Sequence, residues 1–353
     1  MSSRAVLVAA AIAIVAVVAG VMAVAYRPAP APVTALGPMP SLDGVAGWVN
    51  GRPRPRQPLT ALVLWSDTDP RSLRAMDDAA EWSRLFGPHG VSVVGVHLPE
   101  FSYGADTAIA ARIVRRLGIG FPIALDPAYS LSSALPPAAP GPRVLIGNTL
   151  GEMLLDSARD PRDPDRFLRL EVARRHPELG WPTDTTGLST RSALHEPRFI
   201  HLGTSRAEAG PLAGATPGTT QAFTTQFRFQ EETSAGVPIP VGRWTPRVEG
   251  LECARGGPEC FVALRQRGET VLAVMSPPPP FASAPRVWVL LDDRWLGRNE
   301  AGGDVRFDGR GASYVELDGP RLYSIARGKK GVLRLSPDTD GTTLYSFVLE
   351  DEK

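Results

Sequence analysis

Cysteine is almost missing from this chain: it has two in 353 residues, Cys253 and Cys260. Two cysteines can build neither a disulfide framework nor a four-cysteine zinc site. Lysine is nearly as scarce, with three (Lys329, Lys330, Lys353) among 38 basic residues; this Arg, Ala and Pro bias reads as a GC-rich genome rather than as a function. The formal net charge is only +1. A general nucleic-acid binder needs a concentrated basic face to displace phosphate counterions, so that class is excluded. Gly-rich phosphate loops, His-Glu-x-x-His and Gly-x-Ser-x-Gly motifs are also lacking, and no cofactor is expected.

What is present is enough apolar material for a packed core, 43% of the chain, and a length that makes two domains the default. Residues 5–26, AVLVAAAIAIVAVVAGVMAVAY, run for 22 positions without a charge between Arg4 and Arg27. At about 1.5 Å per residue such a helix spans a hydrocarbon core of about 30 Å. A cleavable signal is the rival, since Ala23-Val24-Ala25 makes a processing site, but this run exceeds the usual apolar region of about 7–15 residues. The expectation is a single-pass inner-membrane anchor with residues 1–4 cytoplasmic and the bulk of the chain extracytoplasmic, in the periplasm.

Residues 27–57 carry proline at one- or two-residue spacing, which suits a semi-rigid polyproline spacer. From 58 to 180 strand and helix patterns alternate. Leu59–Trp65 reads as a buried parallel strand. Asp69-Pro70 then provides a helix cap and a first-turn proline, and the helix through Phe86 places Leu73, Met76, Ala80 and Leu85 near one face. Val91–His97, Phe121–Leu125, Arg143–Ile146 and Glu152–Leu155 read as further strands, with helices over Thr107–Leu117 and Asp163–Arg175. This is an α/β pattern around a central sheet.

The segments LVLWSDTDPRSLR, VVGVHLPEF, LGIGFPIALDPAYSL and LIGNTLGEML resemble, in order, the thioredoxin-like domain of TlpA- and DipZ-type extracytoplasmic proteins. The resemblance covers about 120 residues, and Val93–Phe101 is its most specific part. It implies a thioredoxin fold whose first strand leads through a tryptophan into a Cys-x-x-Cys pair at a helix mouth, where the helix N-terminus stabilises a thiolate. Counted on from Trp65, those two positions are Asp69 and Ser72. Neither can form a disulfide, and a serine hydroxyl without a base beside it is a poor nucleophile. The catalytic set is therefore empty: Asp69 and Ser72 are vestigial. The family also implies a cis-proline before the strand written VLIG, with Pro142 the candidate and Pro140 the less favoured position; a turn in AAPGP with no groove function stands as an equal alternative.

Other polar residues carry weaker signals. His97 sits inside the matched motif and reads as a strand-end residue. His195 and His201 lack a third ligand, so no metal is expected. Asp67, Asp69, Asp77 and Asp78 cluster where a helix start favours negative charge.

Residues 181–194 read as a linker and 195–353 as an all-β sandwich, jelly-roll-like, with strands over Thr224–Phe229, Phe261–Arg265, Thr270–Met275, Arg286–Leu291 and Thr343–Leu349. HLGTSRAE, VWVLLDDRWLG, DGPRLYSIARG and YSFVLE resemble the C-terminal module of DipZ-type proteins, itself similar to carbohydrate-binding modules. Trp244, Trp288, Trp295, Tyr314 and Tyr323 could stack on sugar rings, although alternating strand positions more often place aromatics in a core. Cys253 and Cys260 flank a Gly-Gly-Pro turn and are expected to form a structural disulfide, which an oxidising compartment preserves. The resulting expectation is a membrane-anchored binding or scaffolding module in envelope protein maturation, its partner an envelope protein or peptide and its thiol chemistry lost. Two alternatives stand beside it: a thiol-disulfide oxidoreductase using non-standard cysteines, and a glycan-binding protein.

Overall fold

The computed structural model describes residues 34–55, 57–181, 196–206, 212, 215–223, 236–281 and 284–351. The expected anchor at 5–26, most of the expected linker at 181–194, His195 and the strand expected at Thr224–Phe229 lie outside them. Among the described residues no helix is long and apolar enough to cross a membrane.

The first half is a single mixed sheet flanked by helices. Its elements are β1 (Gly37–Pro38), β2 (Gly47–Val49), β3 (Leu59–Trp65), α1 (Pro70–Phe86), β4 (Val91–His97), α2 (Thr107–Arg116), β5 (Ile123–Leu125), α3 (Ser130–Ser133), β6 (Arg143–Asn148), β7 (Glu152–Asp156) and α4 (Pro164–Arg175). The strand order is β1-β7-β6-β3-β4-β5-β2. β3 pairs parallel with β4 and antiparallel with β6, and β4 pairs parallel with β5. Central β3 and β4 are therefore buried on both faces, which is why their sequences are almost wholly apolar.

Two expectations need correction here. Residues 27–57 are not all spacer: Leu36 N–H donates to Met153 O at 2.7 Å and Ala46 N–H to Leu125 O at 2.8 Å, so β1 and β2 become the two edges of the sheet. Met39, Leu42, Val45 and Trp48 pack on the core cluster around Leu62, Val94 and Leu145. Pairing with β7 and β5 satisfies the backbone that a solvated spacer would expose, and proline is tolerated at such edges. The second correction concerns α1, whose buried side is Met76, Ala79, Trp82 and Phe86, with Ala80 exposed. The two large aromatics decide the rotation, because each buries more apolar surface than Ala80 or Leu85 would. Gly95 in β4 makes room for this packing. A Cβ there would lie 2.9 Å from Met76 Cε and 2.5 Å from Ile123 Cδ1.

The second half is all β: β8 (Arg198–His201), β9 (Gln221–Phe223), β10 (Ile239–Pro246), β11 (Leu251–Cys253), β12 (Phe261–Arg267), β13 (Thr270–Ser276), β14 (Arg286–Leu291), β15 (Arg294–Trp295), β16 (Val305–Phe307), β17 (Ser313–Glu316), β18 (Arg321–Ala326), β19 (Lys330–Pro337) and β20 (Thr343–Glu350). One layer contains β18-β13-β20, with β11 and β8 on the far side of β20; the other contains β16-β17-β14-β19-β12. β10 belongs to both layers, its first half pairing with β12 and its second with β9 and β11. The change of layer occurs at Gly242, whose φ is +93° and whose missing Cβ would lie 2.6 Å from Glu259 O. Only glycine meets both demands. The core between the layers includes Leu251, Val262, Val271, Val289, Leu335 and Phe347, with Trp244 and Tyr323 fully buried in it.

Candidate functional site: the mouth of the first helix

β3 delivers the chain through Ser66-Asp67-Thr68 to the start of α1. Asp69 is the N-cap, with an extended backbone (φ −106°, ψ 114°), and its Oδ1 accepts from Arg71 N–H at 2.9 Å. The same carboxylate holds the Arg71 side chain, from Nε at 3.1 Å and Nη2 at 3.0 Å. Ser72 Oγ donates to Asp69 Oδ2 at 3.5 Å. The two positions that the resemblance assigns to thiols thus touch one another, and they are only 5% and 1% exposed. A carboxylate here satisfies the helix N-terminus and offers no redox couple.

Behind them lies a second buried pair. His97 Nε2 is 2.9 Å from Asp67 Oδ1, both side chains are buried, and the His97 ring packs against Trp65 at 5.0 Å between centroids. His97 is therefore a strand-end residue tied to the loop before α1. Glu100, from the same matched motif, accepts from Thr68 Oγ1 at 2.5 Å and from Arg206 Nη1 at 3.0 Å. Asp77 and Asp78 sit further along α1. Among the described residues no group of His, Cys, Asp and Glu is arranged to hold a metal ion.

Sequence reasoning missed what covers this mouth. Arg71 bridges to Glu196 and stacks over Phe199 with its guanidinium carbon 5.7 Å from the ring centroid. Arg74 Nη1 reaches Glu350 Oε1 at 2.8 Å, Arg116 pairs with Asp318, and Ser102 Oγ donates to Glu249 Oε2 at 2.6 Å. An apolar seam accompanies these contacts: Phe101, Tyr103, Ile109 and Ile113 pack with Val274, Leu322 and Val348. Tyr345 joins it, its ring 4.9 Å from Phe101 and 5.3 Å from Tyr103. The β domain therefore lies directly on the face where α1 begins. The available hint was the apolar content of F-S-Y-G-A, unusual for a loop.

Gly141 lies against the Arg71 guanidinium: a Cβ there would be 3.2 Å from Arg71 Cζ. The AAPGP loop thus stands beside the mouth, as the resemblance implies. The Pro142 bond is trans, however, and among the described residues the cis bond is Pro279-Pro280. The turn reading therefore holds at Pro142, because Gly141 (φ +136°) already supplies the chain reversal.

Cys253 and Cys260 come together but stand as free thiols with Sγ atoms 3.6 Å apart. They lie in the β domain and are nearly inaccessible, at 1% and 3% exposure. The Cys260 thiol is pushed up, first by its hydrogen bond with Cys253 and then by burial, while that bond draws Cys253 down. Of the five aromatics considered for sugar stacking, Trp244 and Tyr323 are core. Trp288, Trp295 and Tyr314 lie together off that core with centroids 5.5 and 5.8 Å apart, but Tyr314 is itself buried at 9% exposure, with Arg286 over its ring at 4.5 Å, and Trp295 is the exposed member.

The mixed sheet with this strand order and the tryptophan-led helix mouth give this half a thioredoxin-like fold, and its His97–Glu100 motif is similar to that of TlpA/DipZ-type proteins, with Asp69 and Ser72 where those carry their thiol pair. No family model matches the chain. It is 31% identical over 101 residues to Protein DipZ of Mycobacterium bovis and to that of Mycobacterium tuberculosis. The match takes in 27% of this chain and 14% of those relatives, so it spans only a small part of their length. Similar solved structures include a thioredoxin-like protein in the oxidised form (23% identity, TM-score 0.33, 40% of this chain and 96% of that one). StoA from Bacillus subtilis is another (17% identity, TM-score 0.26, 36% and 89%).

Proposed function

We propose that this protein is a membrane-anchored, extracytoplasmic thioredoxin-like module that has given up thiol-disulfide exchange and serves as a binding or scaffolding component in envelope protein maturation. The observation that carries the reading is the α1 mouth. Where a thiolate would attack, Asp69 and Ser72 hydrogen-bond to each other, are buried, and lie beneath the chain's own second domain. Exchange requires an accessible thiolate with a depressed pKa.

The oxidoreductase alternative would have to run through Cys253 and Cys260. Both are buried and neither opens a helix, so an incoming disulfide has no line of attack. The glycan alternative keeps one supporting observation, the Trp288–Trp295–Tyr314 cluster, with Trp295 42% exposed. Glycan-array binding abolished by Trp295→Ala would favour it; an array without hits removes it.

Proximity labelling from the native membrane tests the main reading. Enrichment of exported proteins undergoing maturation is expected. A labelling profile indistinguishable from that of an unrelated single-pass anchor would overturn it.

A further inference from the structure

Each half of this chain carries an apolar surface whose cover is the other half. In the β half, β13 and β20 are apolar on both faces. Val271, Ala273, Phe347 and Leu349 enter the core between the two layers. Leu272, Val274 and Val348 turn the other way, beside Leu322 of β18. The register makes these four cross-strand neighbours, with Leu272 opposite Val348 and Val274 opposite Leu322. A sandwich layer that faces water alternates apolar and polar residues, and this one does not. The thioredoxin-like half supplies the complement. Ile109 and Ile113 lie one turn apart on α2, and Phe101 and Tyr103 come from the turn before it.

Phe101, Tyr103, Ile109, Ile113, Val274, Leu322 and Val348 form one buried cluster, none of them more than 9% exposed. Parted, the halves would each present a contiguous apolar face of a kind that folded monomers rarely leave in water. The charged contacts stand at the rim instead. Arg74 with Glu350 and Arg116 with Asp318 are all a fifth or more exposed, and Glu196 opposite Arg71 is 81% exposed. Ion pairs so well solvated contribute little to holding the surfaces together, although their common direction fixes how the halves meet. An apolar centre inside a polar rim is the anatomy of a lasting interface, and domains move apart by default only where the interface is small or polar.

We infer that the β domain is the fixed occupant of the α1 face: the two halves form one cooperative unit, and the mouth is closed to any other peptide. The binding role proposed above then belongs to surfaces away from the mouth. The inference rests on packing and not on the loss of thiol chemistry. Insulin turnover through Cys253 and Cys260 would sink the redox-inactive reading and leave this one standing, so the two fail separately.

Hydrogen exchange of the full chain in detergent, read by mass spectrometry over a urea series, tests it. Peptides covering 66–76, 99–114 and Thr270–Ser276 should lose protection at one common midpoint. They should do so equally in about 1 M salt, where charges are screened beyond about 3 Å; a contact made by the rim pairs would open there. Two truncations read the coupling across the seam. Leu322→Ala lies in the β half and should lower the midpoint of 66–76 as far as that of Thr270–Ser276. Ile113→Ala lies in α2 and should shift Thr270–Ser276 as far as 66–76. Exchange of 66–76 and 99–114 at lower urea than Thr270–Ser276 would overturn the inference. So would a midpoint in one half that truncation in the other leaves unmoved, or protection at 66–76 lost in salt alone.

Discussion

Replacing Asp69 by alanine separates a structural role from a vestige of chemistry. Loss of an N-cap carboxylate costs about 0.5–2 kcal/mol. Asp69 also fixes the Arg71 guanidinium, whose side chain is 18% exposed and whose other anion, Glu196, is 81% exposed and well solvated. Charge-assisted hydrogen bonds contribute roughly 1.5–3 kcal/mol, and the surviving Glu196 pair places this loss at the low end. The sum is about 3 kcal/mol, which at about 2–4 °C per kcal/mol lowers the melting temperature by roughly 6–12 °C. Asp69→Asn keeps an acceptor for Arg71 N–H and should recover about half. Urea unfolding followed by tryptophan fluorescence reads the difference. Residues retained for catalysis commonly sit in strained sites whose replacement is neutral or stabilising. If Asp69→Ala unfolds within about 0.5 kcal/mol of wild type, the capping account fails.

The Cys253–Cys260 pair should close into a disulfide in protein taken from the cell envelope, contributing no more than about 2–3 kcal/mol by loop closure; intact-mass analysis with and without reductant before alkylation decides, and two free thiols would refute it. Stability should fall in acid for two stated reasons. Asp156 is held below the ordinary carboxylate range: burial pushes it up, but the Arg143 pair at 2.6 and 2.8 Å outweighs this. Glu300 is lowered to about 2, chiefly by Arg294 and then by Gly297 N–H. A depressed carboxylate contributes above its unfolded pKa and loses that contribution as pH falls through the folded value. Unfolding midpoints should therefore be flat above about pH 5 and decline between about 4.5 and 2; a midpoint unchanged at pH 3 would contradict both assignments. If residues 5–26 anchor the chain, it should begin at or near Met1 and stay with membranes through a high-salt wash, whereas a soluble form starting near Tyr26 would show cleavage.

The thioredoxin-like half was legible because its signals are local. The apolar runs of β3 and β4, the Asp69-Pro70 cap and the Val93–Phe101 motif each report on neighbouring residues. β1 and β2 were not legible, since two or three residues amid prolines become strands only when distant edges offer hydrogen bonds. The rotation of α1 was misjudged for a related reason: counting apolar positions weighs Ala80 equally with Trp82, and packing does not. At the site, the identity of Asp69 and Ser72 could be read by counting from Trp65. Their burial could not, because it depends on Glu196, Phe199 and Glu350, which lie more than a hundred residues away. The Cys253–Cys260 approach was visible in the turn between them, whereas the split of the aromatic set into core and surface depended on the layer each strand joins.

The account rests on the claim that this chain does not exchange disulfides, neither at the helix mouth nor through Cys253 and Cys260. Insulin reduction by the purified protein, with dithiothreitol supplying electrons and a Cys-x-x-Cys thioredoxin as positive control, tests that claim directly. The predicted result is precipitation at the rate of dithiothreitol alone, unchanged by Cys253→Ser with Cys260→Ser. Turnover above that background, lost in the double serine variant, would contradict it.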